Sequence, residues 1–129
     1  MFIFDLVFTD ISGGGDLKAL AHKPLELFWH HNVPNEETND CGFSYYHKSL
    51  DQSYKEAFLL YSNKTGLLSL GSRGEGWSLI SDKTPCWSGI KKSQSQDTDS
   101  GIYLTSLILT NGSLIKSPEI EVTIYEGRF

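Results

Sequence analysis

The stretch Asp99-Ser100-Gly101-Ile102-Tyr103 opens the most strand-like part of the sequence. The residues from 102 to 110 are rich in β-branched and aromatic side chains and predict a long strand. Asn111-Gly112 follows, a dipeptide that is typical of a tight hairpin turn. From Ile120 to Tyr125 apolar and polar residues alternate, as in a strand with one buried face. This part of the chain is therefore predicted to form a turn and then a pair of antiparallel strands.

Strand-forming segments also recur upstream of this stretch. Such segments lie at 2–8, 25–30, 43–47 and 57–61, and shorter ones at 77–80, 87–90 and 114–115. Helical periodicity is nearly absent, and only Leu17 to Leu20 could form a helical turn, between three glycines and Pro24. Eight or nine short strands separated by turns predict an all-β sandwich or barrel, in one domain that spans residues 1–129.

Residues 99–103 resemble the D-x-G-x-Y corner that opens strand F of immunoglobulin domains. In that family the aspartate accepts hydrogen bonds at the turn, the glycine permits a tight backbone, and the tyrosine hydroxyl bonds to the preceding loop. Phe43 to Lys48 resembles strand C, with Tyr45 or Tyr46 at the place of its core tryptophan, and residues 59–61 resemble strand C′ of the variable type. The resemblance implies an immunoglobulin-like β-sandwich of the variable type (V-set), with two antiparallel sheets of about eight or nine strands.

The chain departs from this family at the two inter-sheet cysteines. Thr105 stands two residues after Tyr103, where the strand-F cysteine is expected, and the strand-B position near Leu27 or Trp29 has no cysteine either. Loss of such a bridge typically costs about 2–5 kcal/mol. We expect aromatic packing to compensate, by Trp29, Phe43, Tyr45 and Trp87. The resemblance also places Arg73 where the family has the arginine that pairs with the corner aspartate, here Asp99.

Composition excludes several classes of partner. The 129 residues include 39% hydrophobic and 21% charged ones, and 11 basic against 16 acidic side chains give a net charge of −5. Because no basic cluster exceeds Lys91-Lys92, nucleic acids and anionic membranes are not expected as partners, whereas a protein ligand is. No apolar run approaches the roughly 20 residues of a membrane-spanning helix. Met1 to Leu6 lacks the pattern of a signal peptide, which leaves a cytosolic protein or an excised ectodomain. The family resemblance favours the ectodomain, and therefore the cell surface.

The sequence offers no support for catalysis or for a bound metal. His30 and His31 are adjacent on a predicted strand, so they point to opposite faces and cannot share one metal ion. Asp97 and Asp99 belong to the corner turn, and a calcium site there would need a further ligand. Nucleophile-elbow, zinc-protease and phosphate-loop motifs do not occur. We therefore expect a protein that is not an enzyme and has no cofactor.

The resemblance places protein binding on the G-F-C-C′ face of the sandwich or on the loops at one end of it. The candidate residues of this face are Tyr46, Tyr54, Tyr61, Leu107, Leu109 and Ile115. Because strands alternate, about half of them must point inward, and core packing is the alternative for each. Asn63 and Asn111 start glycosylation sequons in predicted turns, which would suit a glycoprotein.

The function implied by the resemblance is cell adhesion or self/non-self recognition. As a domain without the usual cysteines, the chain is similar to the membrane-distal domains of CD2-like adhesion receptors and of the allorecognition receptors of colonial hydroids. Such a domain binds another protein or its own copy on an opposing cell. Three alternatives remain open: a viral immunoglobulin-like modulator of a host receptor, a cytosolic β-sandwich that neutralises a bacterial toxin, and a carbohydrate-binding sandwich.

The two cysteines of the chain, Cys41 and Cys86, generate the first testable prediction. In a variable-type sandwich Cys41 would lie in the B–C loop or at the start of strand C, and Cys86 at the start of strand E, so the two could meet at one end of the molecule. We predict a Cys41–Cys86 bridge, the alternative being two unpaired, partly buried thiols. The intact mass after alkylation without reductant shows whether the two thiols are bridged. A bridge leaves the mass unchanged, and two labelled thiols would rule it out.

Overall fold

The computed structural model describes residues 8–31, 42–54, 56–62, 68–71, 74–80, 87–109, 112 and 114–126, with backbone alone at 8–13, 87 and 88. These ranges contain eleven strands and two short 3-10 helices, at Ser12–Gly15 and Asp97–Asp99. The strands are β1 (Phe8–Ile11), β2 (Asp16–Leu20), β3 (Leu25–His31), β4 (Gly42–Lys48), β5 (Leu59–Ser62), β6 (Leu68–Leu70), β7 (Trp77–Leu79), β8 (Trp87–Lys92), β9 (Gly101–Ile108), β10 (Leu114–Lys116) and β11 (Ile120–Tyr125). Neither of these two helices is long and apolar enough to cross a membrane.

The strands form two sheets, and the predicted all-β class is confirmed. Sheet I has the order β1-β3-β8-β7, and sheet II the order β2-β11-β9-β4-β5-β6, in which β10 also pairs with β9. Every pair is antiparallel except β2 with β11, which is parallel. The prediction of two purely antiparallel sheets was wrong in this respect, and the described ranges hold more strands than the eight or nine expected.

The glycines before β2 explain its parallel pairing. Gly14 and Gly15 adopt positive φ angles of 66° and 102°, a conformation that other residues rarely adopt. They carry the chain from β1 in sheet I to β2 in sheet II. The segment from 17 to 20 is therefore a strand beside β11 and not a helical turn. The other strand that was not predicted is β6, which pairs with β5.

The core lies between the two sheets and follows from strand alternation. In β3 the residues Leu25, Leu27 and Trp29 are buried, and in β11 the buried positions are Ile120, Val122 and Ile124. The other large members of the core cluster are Phe43, Tyr45, Phe58, Leu59, Trp77, Ile90, Tyr103, Leu107 and Leu109. The predicted roles of Trp29, Phe43 and Tyr45 in the core are confirmed. The side chain of Trp87 lies outside the described part.

The corner at residues 99–103 is held by hydrogen bonds to Asp99. The Tyr103 hydroxyl donates to the Asp99 carbonyl at 2.5 Å, as predicted. The Asp99 carboxylate accepts from Lys92 Nζ at 3.0 and 3.1 Å and from the Gln96 amide at 2.7 Å. Gly101 has a φ of 139°, and a Cβ atom there would lie 2.3 Å from the Lys48 carbonyl oxygen. Only glycine therefore fits this close approach of β9 to β4.

Among the described residues, Lys92 in β8 forms an ion pair with Asp99. Arg73, which the family resemblance proposes for this role, lies outside the described residues, as do Cys41 and Cys86. The family resemblance implies an arginine for this role, so it does not predict Lys92.

The second prediction concerns Tyr103 and alkaline pH. Burial raises the pKa of Tyr103 well above its ordinary value of 10.0, and the neighbouring Asp99 charge raises it further. A raised folded pKa contributes stability that is fully present below pH 10 and is lost as the pH rises further. We expect Tyr103→Phe to lower the free energy of unfolding at pH 7 by about 1–3 kcal/mol, because the Asp99 carbonyl loses its donor. We also expect the variant to lose less stability than the wild type above pH 10.

Urea denaturation at several pH values between 7 and 11 measures both effects. Tyr125→Phe is the matched control, since Tyr125 is exposed. This substitution should change stability by less than about 0.5 kcal/mol. Equal losses of stability at high pH in the wild type and in Tyr103→Phe would contradict the prediction.

Candidate protein-binding face

The outer face of sheet II points away from sheet I, and alternation decides which residues it carries. In β9, Tyr103, Thr105 and Leu107 point into the core and are buried, whereas Ile108 is 45% exposed. In β4 the corresponding outward residues are Gly42, Ser44, Tyr46 and Lys48, which pair in register with the outward residues of β9. The outer face therefore has an upper end near Gly42 and Ile108 and a lower end near Lys48.

Three exposed apolar side chains occupy the upper end of this face, and we call them the upper patch: Leu60, Ile108 and Leu114. They are 47%, 45% and 59% exposed. Leu114 pairs directly with Ile108 across β10 and β9, and Gly42 pairs with Ile108 on its other side. Leu60 pairs with Ser44, whose small side chain lies between Leu60 and the rest of the patch. The result is a shallow apolar surface on a floor of small residues.

A tyrosine from the loop between β4 and β5 covers part of the lower half. The Tyr54 ring packs edge to face on Tyr46, at 6.3 Å between ring centroids, and Lys48 Nζ lies 5.4 Å from its centroid. Its hydroxyl donates to Glu119 Oε2 at 2.6 Å. Because Glu119 lies beyond β9, Tyr54 crosses the sheet above Leu104, which is only 7% exposed although it faces outward. We call Tyr54 with Tyr46, Lys48 and Glu119 the tyrosine strap.

The hydrogen bond of the tyrosine strap joins a neutral phenol to a carboxylate. Burial raises the pKa of Tyr54 above its ordinary value, and the hydrogen bond to Glu119 and the charge of that carboxylate raise it further. Tyr54 therefore stays protonated and able to donate throughout the physiological pH range.

The predicted binding residues divide between the two sides of the sheet. Tyr46 and Tyr54 lie on the outer face, where both belong to the tyrosine strap. The prediction was wrong for Leu107 and Leu109, which are buried in the core because they share the inward parity of Tyr103. Tyr61 and Ile115 are partly buried and pack against the core, so they also face inward. The glycosylation candidates Asn63 and Asn111 lie outside the described residues.

Sequence reasoning missed the upper patch, although a signal for part of it was present. Once Tyr103 is assigned to the core by its corner role, counting in twos along the strand places Leu107 inward and Ile108 outward. No comparable reference point exists for Leu60 or Leu114, because their short strands have little alternation of their own.

In the part of the chain that the structure describes, no three His, Cys, Asp or Glu side chains are grouped so that they could hold a metal ion. No known protein family matches the sequence, and no curated protein is similar to it. The functional assignment therefore depends on the arrangement of the sheets and on the residues of the outer face.

The third prediction tests whether the tyrosine strap is a coupled unit. In a double-mutant cycle of Tyr54→Phe and Glu119→Gln, we expect a coupling free energy of about 0.5–1.5 kcal/mol, because Tyr54→Phe removes the donor and Glu119→Gln replaces the charged acceptor by a weaker, neutral one. Urea denaturation at pH 7 measures the four stabilities. A cycle of Tyr125→Phe with Glu119→Gln is the control and should be additive. Additivity in the Tyr54 cycle as well would show that the two side chains do not interact in solution.

Proposed function

We propose that the chain is a variable-type immunoglobulin-like domain of a cell-surface or secreted protein, and that it recognises another protein through the upper patch. A second copy of the same domain is the first candidate partner. The proposed function is adhesion or self/non-self recognition, without catalysis and without a cofactor.

The strand order of the two sheets supports the variable type. Sheet I has the order expected for strands A, B, E and D, and sheet II that expected for A′, G, F, C, C′ and C″. The strands that distinguish the variable from the constant type correspond to β5 and β6. The hydrogen bond between Tyr103 and Asp99 adds the corner that is typical of strand F in this family.

The upper patch supports the proposed binding role, and it is the observation that carries it. Leu60, Ile108 and Leu114 are large, apolar and exposed on one side of a single sheet. Contiguous exposed apolar surface marks interaction sites in soluble proteins more often than scattered apolar residues do. Lys116 is exposed next to the patch and gives it a polar border, as protein interfaces commonly have.

A second copy is favoured because the patch is complementary to itself. A twofold interface places the same surface on both sides, which suits an apolar patch and does not suit a patch of one charge. The rest of the face carries both signs, with Lys48 and Lys116 against Glu119 and Glu121. The net charge of −5 on each copy opposes association at long range, so we expect added salt to strengthen it.

The fourth prediction is that Ile108→Glu abolishes self-association. Sedimentation velocity between about 1 and 100 μM should show the wild type dimerising and the variant remaining a monomer, because a desolvated carboxylate would face its own copy. The matched control is Leu68→Glu. Leu68 is 41% exposed, but it pairs with Tyr61 and so faces the other side of sheet II.

The two variants carry the same new charge at similar exposure, so their comparison isolates the outer face. Loss of dimers in Leu68→Glu alone would point to the edge of the sheet and contradict the proposal. A wild type that stays monomeric throughout would exclude the second copy as partner and favour a different protein ligand, such as the host receptor of a viral modulator.

A further inference from the structure

A second concave site lies at the lower end of the sandwich, away from the upper patch. It is a cleft of about 710 Å³, a size typical of small-molecule sites. Residues of both sheets line it, together with the 3-10 helix Asp97–Asp99. The cleft is separate from the proposed protein-binding face, because Ile108 lies at the opposite end of β9 from Tyr103, and Leu114 pairs with Ile108.

The floor of the cleft is rigid and aromatic. Phe58, Trp77 and Tyr103 pack against one another with ring centroids 5.7–6.0 Å apart. Tyr103 is fixed by its bond to Asp99, and Asp99 by its ion pair with Lys92. A site that is already ordered loses little conformational entropy when a ligand binds.

The rim of the cleft consists of neutral polar side chains. Ser93, Gln94, Gln96 and Thr98 line it and are exposed. Hydroxyl and amide groups both donate and accept hydrogen bonds, so this rim matches a ligand whose surface does the same.

The charges of the described lining residues disfavour an anion. Lys92 and Asp99 offset each other in their ion pair, and Glu75 adds one exposed carboxylate. A phosphate, sulfate or carboxylate ligand would be repelled by Glu75, whereas Lys92 is already paired with Asp99 and His47 Nε2 is hydrogen-bonded to the Ser100 carbonyl. A ligand hydroxyl, in contrast, can donate a charge-assisted hydrogen bond to that carboxylate.

We propose that this cleft binds a neutral saccharide. A sugar ring presents many hydroxyl groups to the amide and hydroxyl rim. The aromatic side chains of the floor are at most 4% exposed, so the hydrogen-bonding groups of the rim determine the ligand class. The ligand class follows from the lining of the cleft and does not depend on the proposed adhesive role of the outer face. A domain that displays both sites can contact a protein and a glycan at opposite ends.

Saccharide binding is measured by saturation-transfer NMR and by Trp fluorescence with three neutral disaccharides: lactose, maltose and N,N′-diacetylchitobiose. Sialyllactose is the anionic counterpart of lactose. We expect at least one neutral disaccharide to bind with a Kd on the order of 1 mM, as for a small polar ligand in an open site. Sialyllactose should bind no better than lactose.

Two matched variants localise the binding. Thr98→Ala on the rim should weaken it roughly fivefold, since one hydrogen bond is lost, and Thr123→Ala on the outer face should leave it unchanged. Gln94→Ala is a second rim variant with the same expectation. Thr98, Gln94 and Thr123 are all exposed, so these substitutions should preserve the fold.

The proposal is overturned if no neutral disaccharide binds at concentrations up to about 10 mM, if only sialyllactose binds, or if both rim variants bind as the wild type does. Ile108→Glu should bind the disaccharide unchanged. Failure of saccharide binding and failure of self-association are therefore distinguishable, since each is measured on a variant that leaves the other site intact.

Discussion

Asp99 holds the loop between β8 and β9 with both its carboxylate and its carbonyl, and the rest of sheet II depends on this constraint. The carboxylate accepts from Lys92 and from the Gln96 amide, and the carbonyl accepts from Tyr103. With Tyr103 fixed inward, the parity of β9 is determined along its whole length. This parity buries Leu107 and exposes Ile108, and so it creates the upper patch and also the aromatic floor of the lower cleft.

A hydrogen bond from Trp29 links the two sheets. Trp29 in sheet I donates through Nε1 to the Pro118 carbonyl at 3.2 Å, beside the register shift between β10 and β11 of sheet II. Thr105 donates to the Ser44 carbonyl at 2.9 Å, and its amide donates to Ser117 Oγ at the same distance, so the bonds of Thr105 join strands within sheet II. Each such bond contributes about 0.5–1.5 kcal/mol, which is less than the roughly 2–5 kcal/mol of a disulfide.

The sequence was sufficient for what local chemistry determines. The corner tyrosine, the hairpin near Gly112 and the alternation of β11 each follow from residues that are adjacent in the chain. The inward position of Leu109 cannot be read from its own neighbours, because the parity of the strand has to be counted from an inward reference residue such as Tyr103. Pairings between distant segments leave no local signal, so the tyrosine strap over Leu104 could not be predicted. The ion pair of Lys92 with Asp99 is local, but the family resemblance implies an arginine for this role and not Lys92.

The parallel pairing of β2 with β11 also affects how the chain is made. Asp16 pairs with Glu121 and Leu20 with Tyr125, so these partners are about a hundred positions apart. During translation β2 leaves the ribosome long before β11 is synthesised. The edge of β2 that pairs with β11 is therefore unpaired during this time. Contacts of such long sequence separation slow folding. The pairing of β2 with β11 therefore comes late in the folding of sheet II, and until then the unpaired edge of β2 is a place where chaperones would act.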